Sequence, residues 1–506
     1  MARVHFVSLG CPKNRVDAEH MLGITLASGH ELVDTAEEAD AIVVNTCSFI
    51  GEAKKESIET ILEMGEIKAK GGQKLIVSGC LAQRYVGELE GEMPEVDHFL
   101  GTSDYRAISL VLGGNTTAAA VDESGFVPLA SLSRKKHAHT AAGAADDEEL
   151  VQIPRIIVGE TLDYVAGCDL PRVNSMPRHT AYLKIAEGCD NTCAFCIIPT
   201  LRGKQRSRAI DDLVREAKHL AASGTKELIL IAQDLTGYGH DLDGRPKLSD
   251  LLNALADVEG IRWVRCMYAY PRTLSGALMH ALDSGKNILP YLDIPVQHGS
   301  DRMLRLMRRG KDQTRLKELL LSVRNAVKNL VLRSTVIVGF PGENDEDYEK
   351  LVDFAEAIRF ERLGVFKYSD EEGTAAYDLP DRVPAKTKRA RFDKLMRRQK
   401  KIHREKLTAL IGTVHEAIVE GQSDEHEYLV VGRLWSQAPE IDGITYLSST
   451  RALTAGEIVH VVITDAHDYD VVAEVLDDDD ERIAQSVPFE VRKRAPVAQV
   501  GPAMRG

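Results

Sequence analysis

No run in the 506 residues approaches the roughly 18 uninterrupted apolar residues of a membrane span, and the opening MARVHFVSLGCPKN lacks the long apolar stretch of a secretory signal. A cytoplasmic protein without membrane contact is therefore expected. Cysteine is scarce too. Eight in a chain of this length are too few for a disulfide scaffold, so metal binding or catalysis is the better account of any that cluster. What is present, 44% hydrophobic and 28% charged residues, is the balance of a globular chain. The length suggests about two to four folded units. The formal charge of −14 is unevenly spread: residues 408–481 hold seventeen acids and two basic residues, and the remainder is nearly neutral.

The first hundred residues alternate short apolar runs with helix-compatible stretches. RVHFVSLGC, DAIVVNTC and KLIVSGC read as buried parallel strands that end at Cys11, Cys47 and Cys80. Parallel strands share one C-terminal edge, where ligands bind, so three cysteines distant in sequence are expected to meet there. Residues 115–149 lose all periodicity and read as an insert, with His137 and His139 in a solvated loop. From Thr180 to about Ser369, six strand-like runs alternate with helical patterns, which predicts a parallel partial barrel with its chemistry at the strand C-termini. Residues 386–406 hold eleven basic residues and two acids at helical length. That stretch reads as a solvated linker helix or as a contact to an acidic surface or nucleic acid. Short β-runs then predict a small antiparallel barrel.

EGCDNTCAFCIIP follows the first of the six strands and gathers Cys189, Cys193 and Cys196 without a fourth cysteine. Three thiolates can hold three corners of a four-iron, four-sulfur cluster. A structural zinc site would want a fourth protein ligand, and neither a nearby Cys nor a His at finger spacing supplies one. The missing ligand leaves an open iron for a substrate or cofactor. Cys168 and Cys266 are expected to be small buried hydrophobes.

The pattern C-x3-C-x-aromatic-C, with Phe195 before the last cysteine, resembles the radical S-adenosylmethionine superfamily. In that superfamily S-adenosylmethionine chelates the open iron and is cleaved to a 5′-deoxyadenosyl radical. The preceding trio of Cys11, Cys47 and Cys80 and the following β-barrel resemble, more closely, the methylthiotransferases. Their N-terminal domain holds a second cluster and their C-terminal barrel is called TRAM. The resemblance implies an α/β architecture: an N-terminal parallel α/β domain, a central partial (β/α)6 radical-SAM barrel and a small antiparallel β-barrel. The expected bounds are 1–114 for the first domain, 115–174 for insert and linker, 175–406 for the radical core, 407–476 for TRAM and 477–506 for a disordered tail.

SLGCPKNRVDAEHMLG, YLDIPVQHGSDRMLRLMRRG, RLGVFKYSDEEGTAAYDLPDRVP and APEIDGITYL resemble the RimO branch, which modifies an aspartate of small-subunit ribosomal protein twelve. The branch that modifies a tRNA adenosine usually has Gln where this chain has Pro12. The resemblance implies two 4Fe-4S clusters, S-adenosylmethionine, an electron donor protein, and ribosomal protein twelve as partner, free or in the subunit. Twelve acids against two basic residues between Thr408 and Leu476 give a barrel expected to repel tRNA and attract a basic partner. The rivals are a tRNA adenosine methylthiotransferase and a non-catalytic iron-sulfur protein that binds the ribosome. For S-adenosylmethionine, the strand-end positions are Gln233 and Asp234, Gln297, and Gly339 to Glu343. The superfamily's usual Gly-Gly-Glu is absent, AQD standing in its place.

Overall fold

The computed structural model describes residues 1–113, 153–159, 165–271, 274–310, 312–423, 429–477 and 479–485. Its N-terminal sheet carries six parallel strands in the order β2-β1-β3-β4-β5-β6. They are β1 (Arg3–Ser8), β2 (Glu31–Leu32), β3 (Ala41–Thr46), β4 (Lys74–Gly79), β5 (His98–Leu100) and β6 (Ile156–Ile157). The apolar run AIVVNT is buried along its whole length, as a central strand covered on both faces must be. Helices α1 (Pro12–Ala27), α2 (Gly51–Gly71) and α3 (Cys80–Glu92) make the crossovers, and the short α4 (Ile108–Val111) packs on α1. Pro12 opens α1 at the first helical position, where a missing N–H costs nothing.

The segment expected as insert and linker contributes to this domain. Ile156 and Ile157 pair with β5 as the sixth strand, and Pro171 and Arg172 lie against Gly23 of α1. Two residues are too short a run to register as a strand in sequence. His137 and His139 lie outside the described residues. In the expected tail, Glu481–Gln485 form a 3-10 turn, and 486–506 also lie outside the description.

The central domain is built on a second six-stranded parallel sheet, in the order β14-β13-β12-β11-β10-β7. Its strands are β7 (Thr180–Lys184), β10 (Glu227–Ile231), β11 (Trp263–Cys266), β12 (Ile288–Asp293), β13 (Val331–Val338) and β14 (Arg362–Lys367), with a small hairpin of β8 (Ala186–Glu187) and β9 (Arg206–Ser207). One face is covered by α6 (Ile210–Ala222), α7 (Leu248–Ala256), α8 (Gly276–Leu282), α9 (Asp301–Leu306), α10 (Gln313–Ala326) and α11 (Asp345–Ile358), which with the sheet build the largest apolar core. The short α5 (Ile198–Arg202) follows the cysteine motif. Val16 of α1 and Trp435 and Ala438 of the C-terminal barrel join Tyr182, Ile229, Trp263 and Tyr291 of the strands in one cluster, so three units share a core.

Helix α12 (Ala385–Thr408) leads into a closed barrel of β15 (Val414–Gln422), β16 (Val430–Leu434), β17 (Thr445–Ser448), β19 (Val471–Val475) and β18 (Ile458–Ala466). Its pairings are antiparallel except β17 with β19, which is parallel. The charge of this barrel is used differently from the expectation. Of the nine acids described between 408 and 476, six are ion-paired, five of them to residues outside the barrel. Glu416 pairs with Arg262, Glu420 with His179, Glu440 with Arg15, Asp442 with Arg333 and Arg362, and Asp468 with Lys400 and Arg404 of α12. The acids dock the barrel onto its own chain, and the basic helix answers acids of α11 and the barrel. No helix among the described residues is long and apolar enough to cross a membrane.

Candidate active site

Adjacent parallel strands bring Cys11, Cys47 and Cys80 to one edge. Ser8 is level with Asn45, and Thr46 with Gly79, so Cys47 and Cys80 emerge side by side, and Cys11 reaches the same edge through the turn of Leu9 and Gly10. The edge is stapled by side chains: Asn14 donates to the carbonyls of Leu9 (2.7 Å) and Thr46 (3.2 Å), Asn45 to that of Asn14 (2.7 Å), and Thr46 to that of Ser78 (2.6 Å). Gly10 turns at φ 92°, and a Cβ there would stand 2.7 Å from Cys47 Cβ and 3.1 Å from its Sγ. Burial, with the neighbouring Cys11 and Cys80, pushes the Cys47 thiol up to about 12. Such thiols stay protonated until a metal displaces the proton. Lys13 is buried over the Tyr268 ring, and burial pulls its ammonium down to about 8 against the opposing pull of Cys11.

The second trio sits where the six-strand reading expects it, directly beyond β7 and β8. Gly188, at φ 82°, lets the chain pass so close that a Cβ would meet the Lys204 carbonyl at 2.1 Å. Cys189 Sγ accepts from Asn191 Nδ2 at 3.3 Å, and Cys193 Sγ from Arg309 Nη1 at 3.2 Å, while the Arg309 guanidinium stacks over Tyr270. Phe195 packs against Met303, Met307, Phe340 and Tyr368. Burial pushes the Cys196 thiol up to about 12.

The two edges face each other. Cys80 packs on Ile197 and Leu201, the residues that follow Cys196, and the Thr102 hydroxyl donates to the Leu201 carbonyl. Beneath them lies a buried ionic box. Arg202 pairs with Asp17 (2.6 Å) and Glu187 (3.3 Å), Lys184 pairs with the same two acids, and Arg202 Nη2 reaches Asn14 Oδ1 and Cys80 Sγ, each at 3.4 Å. Burial opposes ionisation of Glu187, but Arg202 and Lys184 prevail and hold its carboxyl down to about 2. On the opposite side Glu371 accepts from Lys54 (2.9 Å) and Arg84 (2.8 Å), closing the N-terminal domain over the rim.

The donor sets fit iron-sulfur clusters better than zinc. A zinc ion with Zn–S near 2.3 Å draws its ligands tightly together. Among the described residues, the group that compact is Cys168, Asp169 and Asp212, already neutralised by Arg208 and Arg215. Neither trio is packed so closely, yet members of each are near enough to perturb one another. Cys168 and Cys266 are buried.

The strand-end residues expected to meet S-adenosylmethionine separate into two groups. Gln233 and Gln297 each carry a buried amide oxygen without a partner, and Gln297 holds a φ of 73°, rare for a side-chain-bearing residue. Orphaned acceptors of this kind fit the N–H groups of the cofactor's amino nitrogen. The other three are engaged by the protein. Asp234 accepts from Asn191, Thr236 and the Gly237 amide, and Glu343 accepts from the Gly339 amide (2.6 Å) and Arg391 (2.8 Å). Sequence reasoning missed Asp17, Lys184, Arg202 and Arg309, since nothing in their spacing reveals partners over a hundred residues away.

Residues 3–101 match the model of an uncharacterized protein family, UPF0004, residues 183–355 that of the radical SAM superfamily, and residues 411–476 that of the TRAM domain. The chain is 51% identical over 475 residues to the ribosomal protein uS12 methylthiotransferase RimO of Myxococcus xanthus (strain DK1622), covering 94% of this chain and 92% of the relative. It is 49% identical to the protein of that name from Anaeromyxobacter sp. (strain K), covering 96% of each, and 43% identical to that of Clostridioides difficile (strain 630), covering 94% and 99%. Its cofactors accordingly are S-adenosylmethionine and 4Fe-4S clusters. The chain belongs to the RimO family of radical S-adenosylmethionine methylthiotransferases.

Proposed function

We propose that this chain attaches a methylthio group to the β-carbon of an aspartate in small-subunit ribosomal protein twelve, uS12, in the cytoplasm, with electrons from a donor protein. The observation that carries the reading is the near full-length identity to the RimO relatives, together with two cysteine trios on facing strand edges. The barrel's acidity is not part of the support, because six of its nine described acids are ion-paired within the chain.

Cys189, Cys193 and Cys196 would hold the radical cluster, and Cys11, Cys47 and Cys80 the auxiliary one. A β-carbon proton next to a carboxylate is too weakly acidic for general-base removal, and S-adenosylmethionine at a four-iron cluster supplies radical hydrogen abstraction instead. The chain's own residues prepare that event. Asn191 and Arg309 donate N–H groups to the Cys189 and Cys193 sulfurs, Gln233 and Gln297 offer free acceptors to the cofactor's amino group, and Asp234 fixes the turn that follows Gln233. The closed rim at Lys54, Arg84 and Glu371 restricts water on one side, which protects a reactive radical from quenching.

The test incubates the anaerobically reconstituted enzyme with S-adenosylmethionine, reductant, sulfide, and either uS12, small ribosomal subunits or bulk tRNA, and reads added mass. One methylthio group on an aspartate of uS12 is the expected product, and the two protein arms identify whether the free protein or the subunit is modified. Modification of a tRNA adenosine with none on uS12 would overturn the proposal.

A further inference from the structure

Arg202 stands in an unusual place. It ends the short helix that begins two residues after Cys196, so the segment carrying one trio's last ligand also carries a cation to the other trio. Its guanidinium spreads three ways: Nη1 to Asp17 of α1, Nη1 also to Glu187 two residues before Cys189, and Nη2 to the Cys80 sulfur and Asn14. Every side chain in the box is more than nine-tenths buried. Lys184 and Arg202 against Asp17 and Glu187 make two cations and two anions. The box is neutral by itself, so a Cys80 thiolate would draw on Arg202 as its direct charge partner.

Simple domain glue would need only the Asp17 and Glu187 pairs, and Lys184 already bridges those two acids. The further reach of Nη2 to Cys80 is what glue leaves unexplained. Among the described residues, Arg202 is also the side chain that bonds a cysteine of the N-terminal trio from the radical domain.

We propose that Arg202 is a positioning residue for the N-terminal cluster, fixing the Cys80 sulfur toward the radical centre and raising that cluster's reduction potential through an N–H and a buried positive charge. Reduction adds negative charge to a cluster, and hydrogen bonds and nearby cations favour the more negative state. The inference rests on Cys11, Cys47 and Cys80 being the cluster ligands.

The test uses two full-length backgrounds. In one, Cys189, Cys193 and Cys196 are replaced by Ala so that only the N-terminal cluster gives an electron paramagnetic resonance signal. In the other, Cys11, Cys47 and Cys80 are replaced, leaving the radical cluster. Each is reconstituted anaerobically and titrated for its midpoint potential. No cluster in the first background with Arg202 present would refute the ligand assignment, independently of Arg202. Arg202→Lys keeps a charge for Asp17 and Glu187 but loses the planar fork that serves them and Cys80 together. Arg202→Met with Asp17→Asn removes one charge of each sign and guards against a mere failure to fold.

The expected result is a lower midpoint potential and an altered spectrum of the N-terminal cluster in both variants, with a smaller change at the radical cluster. Loss of iron confined to the N-terminal trio would support the proposal equally. An unchanged N-terminal potential, or equal iron loss from both trios with a lowered melting temperature, would overturn it and leave Arg202 a structural ion pair.

Discussion

Gly10 tests how closely the N-terminal trio depends on its backbone. At φ 92° a side chain is strained whatever space surrounds it, and here the space is filled by Cys47. Gly10→Ala is expected to displace Cys47 and lower the iron of the reconstituted enzyme from about eight atoms per chain to about four. Retention of all the iron would show that the trio tolerates the shift. His415 is a different kind of residue, buried in the barrel beside Trp435 and Thr413. Burial pushes its imidazole down to about 4 from an ordinary value of 6.5. It stays neutral in the fold while the unfolded chain gains a proton below pH 6.5. Its contribution is therefore complete above that pH and is lost as pH falls toward 4, by up to about 3 kcal/mol. Melting temperature against pH should fall across this window, and His415→Gln should flatten part of the fall. The cysteines were legible at this scale because their type and spacing carry the chemistry. Arg202 and Lys184 were not, because an isolated basic residue reads the same whether it is solvated or buried against distant acids.

At the scale of the element, the turn from β13 to α11 shows a strand-end motif bound into its own fold. Glu343 folds back to cap the Gly339 amide and anchor Arg391 of α12. Gln297, beyond β12, instead leaves its amide oxygen free. Two substitutions separate these roles. Glu343→Gln removes the charge that faces Arg391 and should lower the urea midpoint by the equivalent of about 2 kcal/mol, with little change in S-adenosylmethionine affinity. Gln297→Ala should do the reverse, weakening S-adenosylmethionine about tenfold in equilibrium dialysis of the loaded enzyme, as loss of one hydrogen bond worth about 1.4 kcal/mol would. The strands themselves were legible, since runs such as ELILI and AIVVNT are mostly apolar, and both are buried along their whole length. Strand β6 was not, because its place is set by β5 rather than by its own two residues.

At the scale of the whole molecule, composition misleads where pairing is hidden. The acidic barrel suggested a surface for a basic partner, and the basic helix a solvated linker or a contact to an acidic surface or nucleic acid, and the fold brings several of their charges together. Not all these pairs matter equally. Lys400 and Arg404 meet Asp468 at an exposed edge, where solvent screening leaves such contacts little weight. Arg433 is buried between Glu420 of its own barrel and Glu227 of β10, at 2.6 Å from each, and Glu227 also receives Arg265. Truncating Arg433 leaves Glu227 to Arg265 alone and Glu420 to His179, a loss of about 3 kcal/mol. Arg433→Met should therefore loosen the barrel from the radical core, seen as faster limited proteolysis near the end of α12 and a lower melting temperature. Lys400→Glu with Arg404→Glu should change neither appreciably. Added salt provides an independent check: it weakens exposed charge interactions, over a screening length of about 10 Å at 0.1 M that shortens as salt rises, but barely reaches buried ones, so barrel docking in the unsubstituted chain should persist at 0.5 M salt. Release of the barrel by salt alone would mean that the exposed charges, and not the Arg433 contact, hold the three units together.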